Sequence, residues 1–305
     1  MKILVTGASG FLGTALCAKL SEQGHELTRL DSGNCDLTKQ ESLSRFQDKV
    51  YDQVYHLAAW TRPGDFCLYH PGEQWIINQQ INTHVLDWWQ KYQSQAKLIS
   101  IGTSCAYDPA LEPVEENYLL GTPTESLFTY AMTKRMLYAG LSALHKQFGL
   151  SYLYLIPDTL YGPGYQASGK EMHFIFDIIR KIMRGKIYGE TAVLWGDGYQ
   201  YRELVYLEDF IRICLRLAEI CDNDIINIAP GEQFTIRHFA RLICEKAGYD
   251  FSAIKFDLSQ YVGAKSKYLI PQKLKEIMPE VEFTPLDIGL DKTVEWFRKE
   301  KGKQL

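Results

Sequence analysis

Tyr130 and Lys134 stand four residues apart in the segment YAMTK, so a helix would send both side chains from one face, a turn apart. An ammonium beside a phenol stabilises the phenolate, which would make Tyr130 an acid or base toward a hydroxyl or ketone. A third hydroxyl is offered by Thr103 or Ser104, which follow the apolar run 97–102. The carboxyl end of a strand is where open α/β sheets bind ligands. The plainer role for the same two residues is to cap a turn. A second constellation lies near the start of the chain, where Gly7, Gly10 and Gly13 in TGASGFLG separate a short apolar run from a helical one. Glycines in that place let the backbone approach a pyrophosphate at the helix N-terminus, with Ser9, Phe11 and Leu12 in the same turn. Asp31 ends the next apolar run and is placed to accept hydrogen bonds from an adenosine ribose. Its carboxylate repels a 2′-phosphate, so NAD(H) is favoured while NADP(H) stays open. Arg29, at alternate spacing, reads as a solvated strand residue. Asp36, followed by Leu37, is either a contact to the adenine edge or an N-cap.

Positioning these groups requires strands that end where the loops begin. Residues 2–6, 26–31, 52–58, 97–102 and 151–156 read as strands, and 11–24, 38–49, 73–92 and 125–149 as the helices among them. Such alternation predicts a parallel sheet with helices on both faces. Beyond Pro157 the turn residues thicken (YGPG, SGK, GDG), and helices near 171–184 and 208–221 alternate with short strands in no simple register. The expected organisation is a dinucleotide-binding domain over 1–156 and a smaller substrate lobe over 157–305, some of whose segments return to the first domain.

Lys plus Arg number 33 against 37 for Asp plus Glu, without blocks of like charge, so neither nucleic acid nor a membrane surface is an expected partner. The seven cysteines are scattered and never spaced as CxxC, which predicts reduced thiols rather than a disulfide framework or a metal site. MKILVTGASG reads as a strand and a glycine turn rather than a signal peptide, and no long apolar run follows. The expected location is cytoplasmic.

TGASGFLG, VYHLAA, the Thr103–Ser104 stretch, YAMTK, LYGPG and RELVYLED occur in the order found in extended short-chain dehydrogenases/reductases, the NAD-dependent epimerase/dehydratase family, which this chain resembles over its larger part. The resemblance implies an α/β fold, a Rossmann-type doubly wound parallel sheet with a smaller C-terminal α/β lobe that takes a nucleotide sugar. It places Leu57, Ala58 and Ala59 of VYHLAA beside the dinucleotide. It also implies a catalytic triad of Thr103, Tyr130 and Lys134. Thr103 is selected over Ser104 because the family's hydroxyl stands four residues before the tyrosine of the strand-end motif, here Tyr107.

Within the family, GTSCAYDP, ENYLLGTP, LYGPG, MHFIFDIIRK and WGDGYQYRELVYLED are most similar to the GDP-L-fucose synthase branch, which epimerises and reduces a 4-keto-6-deoxy nucleotide sugar. In that branch a cysteine and a histidine carry protons during epimerisation, and they fall on Cys105 and His173. By residue type alone Cys105 is a small buried hydrophobe and His173 a helix cap or surface residue. Arg202 is implied as the partner of the substrate diphosphate, with a salt bridge to Glu203 or Glu208 as its plainer role. Lys181 and Lys267 are further candidates for the phosphates, Ser104 and Thr159 for the sugar, and Trp195 for either a stacking surface or the core of the lobe. The chain departs from the branch in having Thr159 for an asparagine, Arg180 and Lys181 for two arginines, and Ser9 for a basic residue in the glycine turn. The last, with Asp31, argues against a preference for NADPH. Rival readings are an NAD-dependent 4-epimerase, a plain C4 reductase and a non-catalytic dinucleotide sensor. A homodimer through helices 73–92 and 125–149 is expected, with Trp88 and Trp89 in the interface or in ordinary core.

Overall fold

The computed structural model describes residues 1–61, 66–165, 172–260 and 263–301. The N-terminal half runs β1 (Lys2–Thr6), α1 (Phe11–Glu22), β2 (Glu26–Leu30), β3 (Gln53–His56), α2 (Phe66–Tyr69), α3 (Pro71–Tyr92), β4 (Lys97–Ile101), α4 (Phe128–Phe148) and β5 (Tyr152–Pro157). It continues with β6 (Thr159–Tyr161), α5 (Phe174–Tyr188), β7 (Val193–Trp195), β8 (Tyr201–Arg202), β9 (Leu204–Tyr206), α6 (Leu207–Ile220) and β10 (Asp224–Ile228). The last part holds β11 (Phe234–Thr235), α7 (Ile236–Ala247), β12 (Lys255–Asp257), β13 (Ser266–Lys267), α8 (Gln272–Ile277) and α9 (Leu286–Lys301).

Six strands form one sheet in the order β10-β5-β4-β3-β1-β2, and every pairing in it is parallel. Its central strands are buried on both faces, which is why they read as unbroken apolar runs rather than alternating ones. One face is covered by α1 and α6, where Leu16 and Leu20 share a core with Phe210 and Leu217. The other is covered by α3 and α4 through Val85, Trp88, Trp89, Leu137 and Leu141. Trp88 and Trp89 are therefore core residues, and Trp89 donates its indole N–H to the Ala96 carbonyl (2.8 Å). A third core gathers α5, α7 and α9 around Ile179, Phe239 and Phe297 beside the short strands. Among the described residues no helix is long and apolar enough to cross a membrane.

Two expected elements differ. The helix placed at 38–49 is a 3-10 segment, Gln40–Phe46, because Asp36 and Thr38 spend their polar groups on a turn just before it. The helix expected from residue 125 starts as a 3-10 turn over Glu125–Leu127 and becomes α4 at Phe128, ending at Gly149 in the left-handed conformation (φ 72°). The helix expected near 171–184 is α5, and residue 171 lies outside the described residues.

The chain passes from β1 to β2 on one side and then to β3 on the other, so a crevice opens at the carboxyl ends of β1 and β3. Gly7 turns there at φ 67°, where a Cβ would sit 2.8 Å from the Ala58 nitrogen, and a Cβ on Gly13 would sit 2.1 Å from the Gly7 carbonyl oxygen. A Cβ on Gly10 would be 3.3 Å from that oxygen. Gly13→Ala must therefore push α1 off the turn, at a cost of about 3 kcal/mol, whereas Gly10→Ala should cost about 1 kcal/mol or less. Urea denaturation midpoints of the two variants check the difference.

Candidate active site

Thr6, at the end of β1, organises the crevice. Its hydroxyl oxygen accepts from the amides of Leu57 and Ala58 (3.2 Å each), so its hydrogen goes to His56 Nδ1 (2.9 Å). His56 Nε2 then donates to the Asn82 side-chain oxygen on α3 (3.1 Å), and Asn82 donates to the Thr133 carbonyl on α4 (3.4 Å). Burial drives the His56 pKa down to about 4, so the ring is neutral, as this hydrogen-bond pattern requires. The chain of contacts ties the loop after β3 to both helices that carry the site, and only the histidine inside VYHLAA hinted at it.

At the cofactor end, α1 starts from Gly10 with no side-chain cap and no acidic residue in its first turn. Its first amides are left for an anion, and the cradle leaves no room for a Cβ at Gly7 or Gly13. Ser9 is exposed beside it, and Phe11 packs edge-on to Tyr165 (5.3 Å) and Phe176 (5.9 Å), joining the turn to the second lobe. Phe11 and Leu12 are half-buried. One oxygen of Asp31 accepts from the amides of Gly33 (2.9 Å) and Asn34 (3.1 Å). Arg29 is held on the Ser21 hydroxyl (2.7 Å). Asp36 accepts from the Thr38 hydroxyl (2.6 Å) and amide, which lowers its pKa. Leu37 is buried, its carbonyl bonded to His84, while Leu57, Ala58 and Ala59 line the loop after β3.

Thr103 follows β4 and Gly102, where a Cβ would meet the Tyr154 ring at 2.7 Å. The Thr103 oxygen accepts from the Cys105 amide (3.3 Å), and its hydroxyl neighbours that of Tyr130. Ser104 is buried in the same turn. Lys134, one turn along α4 from Tyr130, donates to the Ile101 carbonyl (2.8 Å), and burial brings its pKa down to about 8. The phenol does not behave as the spacing suggested. Enclosure, with a smaller push from Cys105, raises the Tyr130 pKa, and only Thr103 pulls it down, because the ammonium is turned to Ile101. Arg135, beside Lys134 in sequence, is buried and donates to the carbonyls of Ala106, Gly121 and Leu120 (2.9, 2.8 and 2.7 Å), which fastens the Thr103–Tyr107 turn to α4. No motif marked it.

The C-terminal part of the chain delivers a second cluster to the same strand ends. Lys267 on β13 donates to the Cys105 sulfur (3.0 Å), so this lysine stands at a thiol rather than open to a phosphate. Cys105 is half-buried, whereas the other six cysteines are buried. Arg202 on β8 donates to the carbonyls of Tyr201 and Ala264 (2.7 and 2.9 Å). The Glu203 carboxylate accepts instead from the amides of Gly231, Glu232 and Leu269 (2.6, 3.0 and 2.9 Å). Burial, with Asp158 as a second cause, raises the Glu203 pKa to about 7. Thr159 donates its amide (2.6 Å) and hydroxyl (3.2 Å) to one oxygen of buried Asp158. His173 is the N-cap residue of α5, its amide donating to the Tyr165 hydroxyl (3.1 Å). The histidine side chain reaches solvent, yet partial burial and then the Lys267 charge bring its pKa down to about 4. It is thus neutral near pH 7. Lys181 is paired with Asp177 (2.7 Å), which also holds Arg180 (2.6 Å), and lies 5.5 Å from the centroid of the Trp195 ring. Trp195 is 48% exposed and so is not core. Among the described residues no cluster of three or more His, Cys, Asp or Glu side chains gathers for a metal ion.

A model of the NAD dependent epimerase/dehydratase family matches residues 3–229, which include the glycine turn, Thr103, Tyr130 and Lys134. The chain belongs to this family. Among curated relatives, GDP-L-fucose synthase 1 of Arabidopsis thaliana is 29% identical over 98% of this chain and 93% of that protein. The dTDP-4-dehydro-6-deoxy-D-allose reductase of Streptomyces bikiniensis is 27% identical over 97% and 96%. A GDP-L-fucose synthetase crystal structure from Naegleria fowleri superposes with a TM-score of 0.89 at 24% identity, covering 99% of this chain and 94% of that one, and shows the shared fold.

The lowered pKa of Lys134 has a direct consequence for this family member. Below about pH 8 the fold carries a buried charge, and between there and the ordinary lysine range the unfolded chain binds the extra proton. Stability gained from this group should therefore rise with pH, by at most about 1.4 kcal/mol per pH unit. Lys134→Met should lack that rise, so the wild type should gain on the variant between pH 8 and pH 10 in urea titrations.

Proposed function

We propose that the protein is a nucleotide-sugar epimerase/reductase that acts on a 4-keto-6-deoxy nucleotide sugar with a nicotinamide dinucleotide. The observation that carries this reading is the meeting of Cys105 and Lys267 at the strand end that also presents Thr103 to Tyr130. A plain dehydrogenase needs the hydroxyl set alone, whereas a half-buried thiol beside an ammonium adds a base for carbon acids. The glycine cradle, the uncapped start of α1, Asp31 and the 57–59 loop suit a dinucleotide, which when bound supplies the hydride for C4. Tyr130 gives the proton to the C4 oxygen, Thr103 holds that phenol by a hydrogen bond, and Lys134 stands one turn along α4. Cys105 removes a proton from a carbon beside the ketone, and His173 exchanges one on the other face. Arg202 and the Lys181–Trp195 pair receive the nucleotide diphosphate and base. The plain C4 reductase keeps support as a second reading, because two relatives, from different Streptomyces, are named dTDP-4-dehydro-6-deoxy-D-allose reductase.

Supplied with a GDP- or dTDP-linked 4-keto-6-deoxy sugar in heavy water and no reduced cofactor, the protein should place deuterium at C3 and C5. Cys105→Ser should slow that exchange by about 100-fold, as loss of a general base does. A wild type that reduces the ketone without exchanging deuterium is a C4 reductase, and Cys105 then only packs.

NADH is the preferred cofactor in this reading, since Asp31 follows β2 with a carboxylate that opposes a 2′-phosphate. The Naegleria protein has been crystallised with NADP, so the preference separates this chain from that one. Fluorescence titration should show wild type binding NADH about tenfold or more tightly than NADPH, and Asp31→Ala should narrow the gap. The enzyme works in the cytoplasm as a homodimer in which Trp75, Ile76 and Met136, exposed on α3 and α4, are covered.

A further inference from the structure

The buried carboxylate of Asp158 stands next to the site without an assigned task. One of its oxygens is taken by Thr159, and the other is buried with no hydrogen-bond partner. An orphaned carboxylate oxygen is costly unless opposite charge compensates it. Burial raises its pKa, and the charges that oppose that shift come from Lys267 first and then Arg202, both from the C-terminal part of the chain. Lys267 pairs in register with Arg202 where β13 meets β8, and the Leu269 amide is locked to Glu203, so the lysine backbone is held on both sides. From that position its ammonium reaches across 162 residues of sequence to the Cys105 sulfur.

We propose that Asp158, Lys267 and Cys105 form a charge relay in which Lys267 keeps Cys105 as a thiolate and Asp158 keeps Lys267 charged and aimed. The inference rests on the epimerase/reductase reading and assigns Lys267 to the base rather than to a phosphate. The thiol proton leaves to solvent, and Lys267 stays protonated. Cys105 S⁻ then takes a proton from the carbon beside the ketone, a C–H bond breaks as an S–H bond forms, and the electron pair moves onto the ketone oxygen. The direction of the Lys267 pKa agrees. Burial alone would lower it, yet the negative charge of Cys105 and then of Asp158 turns the net shift upward. The other groups that bear on the sulfur are Arg202 from β8, Tyr130 from α4, Tyr118 and Cys67. Lys267 is in hydrogen-bond contact with the sulfur, at 3.0 Å. Lys267 and Asp158 are positioning residues, since they act through Cys105.

The test is the alkylation rate of Cys105 by iodoacetamide, read by peptide mass spectrometry on the intact protein from pH 6 to pH 10. The six buried cysteines provide an internal reference. At pH 7, Lys267→Met should react at least tenfold more slowly than wild type, the two rates should converge by pH 10, and Lys267→Arg should recover much of the difference. Asp158→Asn should slow the reaction less, in the same direction. Deuterium exchange at the sugar should fall in parallel in Lys267→Met and recover at high pH. Equal alkylation rates at pH 7 in wild type and Lys267→Met would overturn the relay even if the enzyme epimerises. A shifted alkylation profile in a wild type that never exchanges deuterium would keep the relay and overturn the epimerase reading. A Lys267→Met variant that melts well below wild type is set aside in favour of Asp158→Asn, whose unchanged profile would equally overturn it.

Discussion

The close approach of two backbones at the switch point of the sheet is the constraint on which the rest depends. Gly7 and Ala58 are so near that no side chain fits between them, and the Thr6 hydroxyl makes the approach possible by accepting from two amides of the incoming loop at once. Because that oxygen is filled, its hydrogen must go to His56, the imidazole must be neutral, and its other nitrogen must face Asn82. A buried polar chain of this kind stabilises only when every member is satisfied. Here each is, and the register of α3 and α4 against the sheet follows from it. The dinucleotide cradle and the helix bearing Tyr130 and Lys134 are in this way parts of one hydrogen-bonded unit.

The site itself is built by bringing cations into places where burial opposes their charge. Lys134 donates to the Ile101 carbonyl, and burial brings its pKa down to about 8. Lys267, also enclosed, keeps its proton because a thiol touches it and the charge of a nearby carboxylate favours the ammonium. Two lysines of the same type thus meet opposite conditions a short distance apart in the fold, and the difference is made by partners from other segments. Arg135 offers a third solution, in which three carbonyls surround the guanidinium and the loop they belong to becomes rigid. The same turn holds Thr103 and Cys105, so both side chains inherit that rigidity.

The first and second halves of the chain are joined by polar contacts as much as by packing. β10 leaves the C-terminal half and completes the sheet beside β5, where Asn227 donates to the Pro113 and Ile270 carbonyls and accepts from the Tyr107 hydroxyl. Glu203 clamps two loops of the second lobe through three amides. These contacts place Lys267 at the end of β4 although it is drawn from a strand of two residues. A strand that short has no independent stability, so its position is set by neighbours.

What the sequence by itself determined is what depends on local spacing. The parallel sheet was legible because strands buried on both faces are unbroken apolar runs, and the glycine turn because only Gly7 and Gly13 tolerate the contacts made there. Tyr130 and Lys134 were legible because four residues make a helical turn. Spacing alone pointed to a lowered Tyr130 pKa, and the direction reverses once Lys134 turns to Ile101 and the phenol is enclosed. It was silent on Trp195, whose exposure depends on where β7 lies, on Asp158 and Arg135, which no motif marked, and on the three amides that Glu203 binds. Only the tertiary structure decided these, because burial and charge partnership are sums over atoms from distant segments, whereas periodicity reports only what one segment offers.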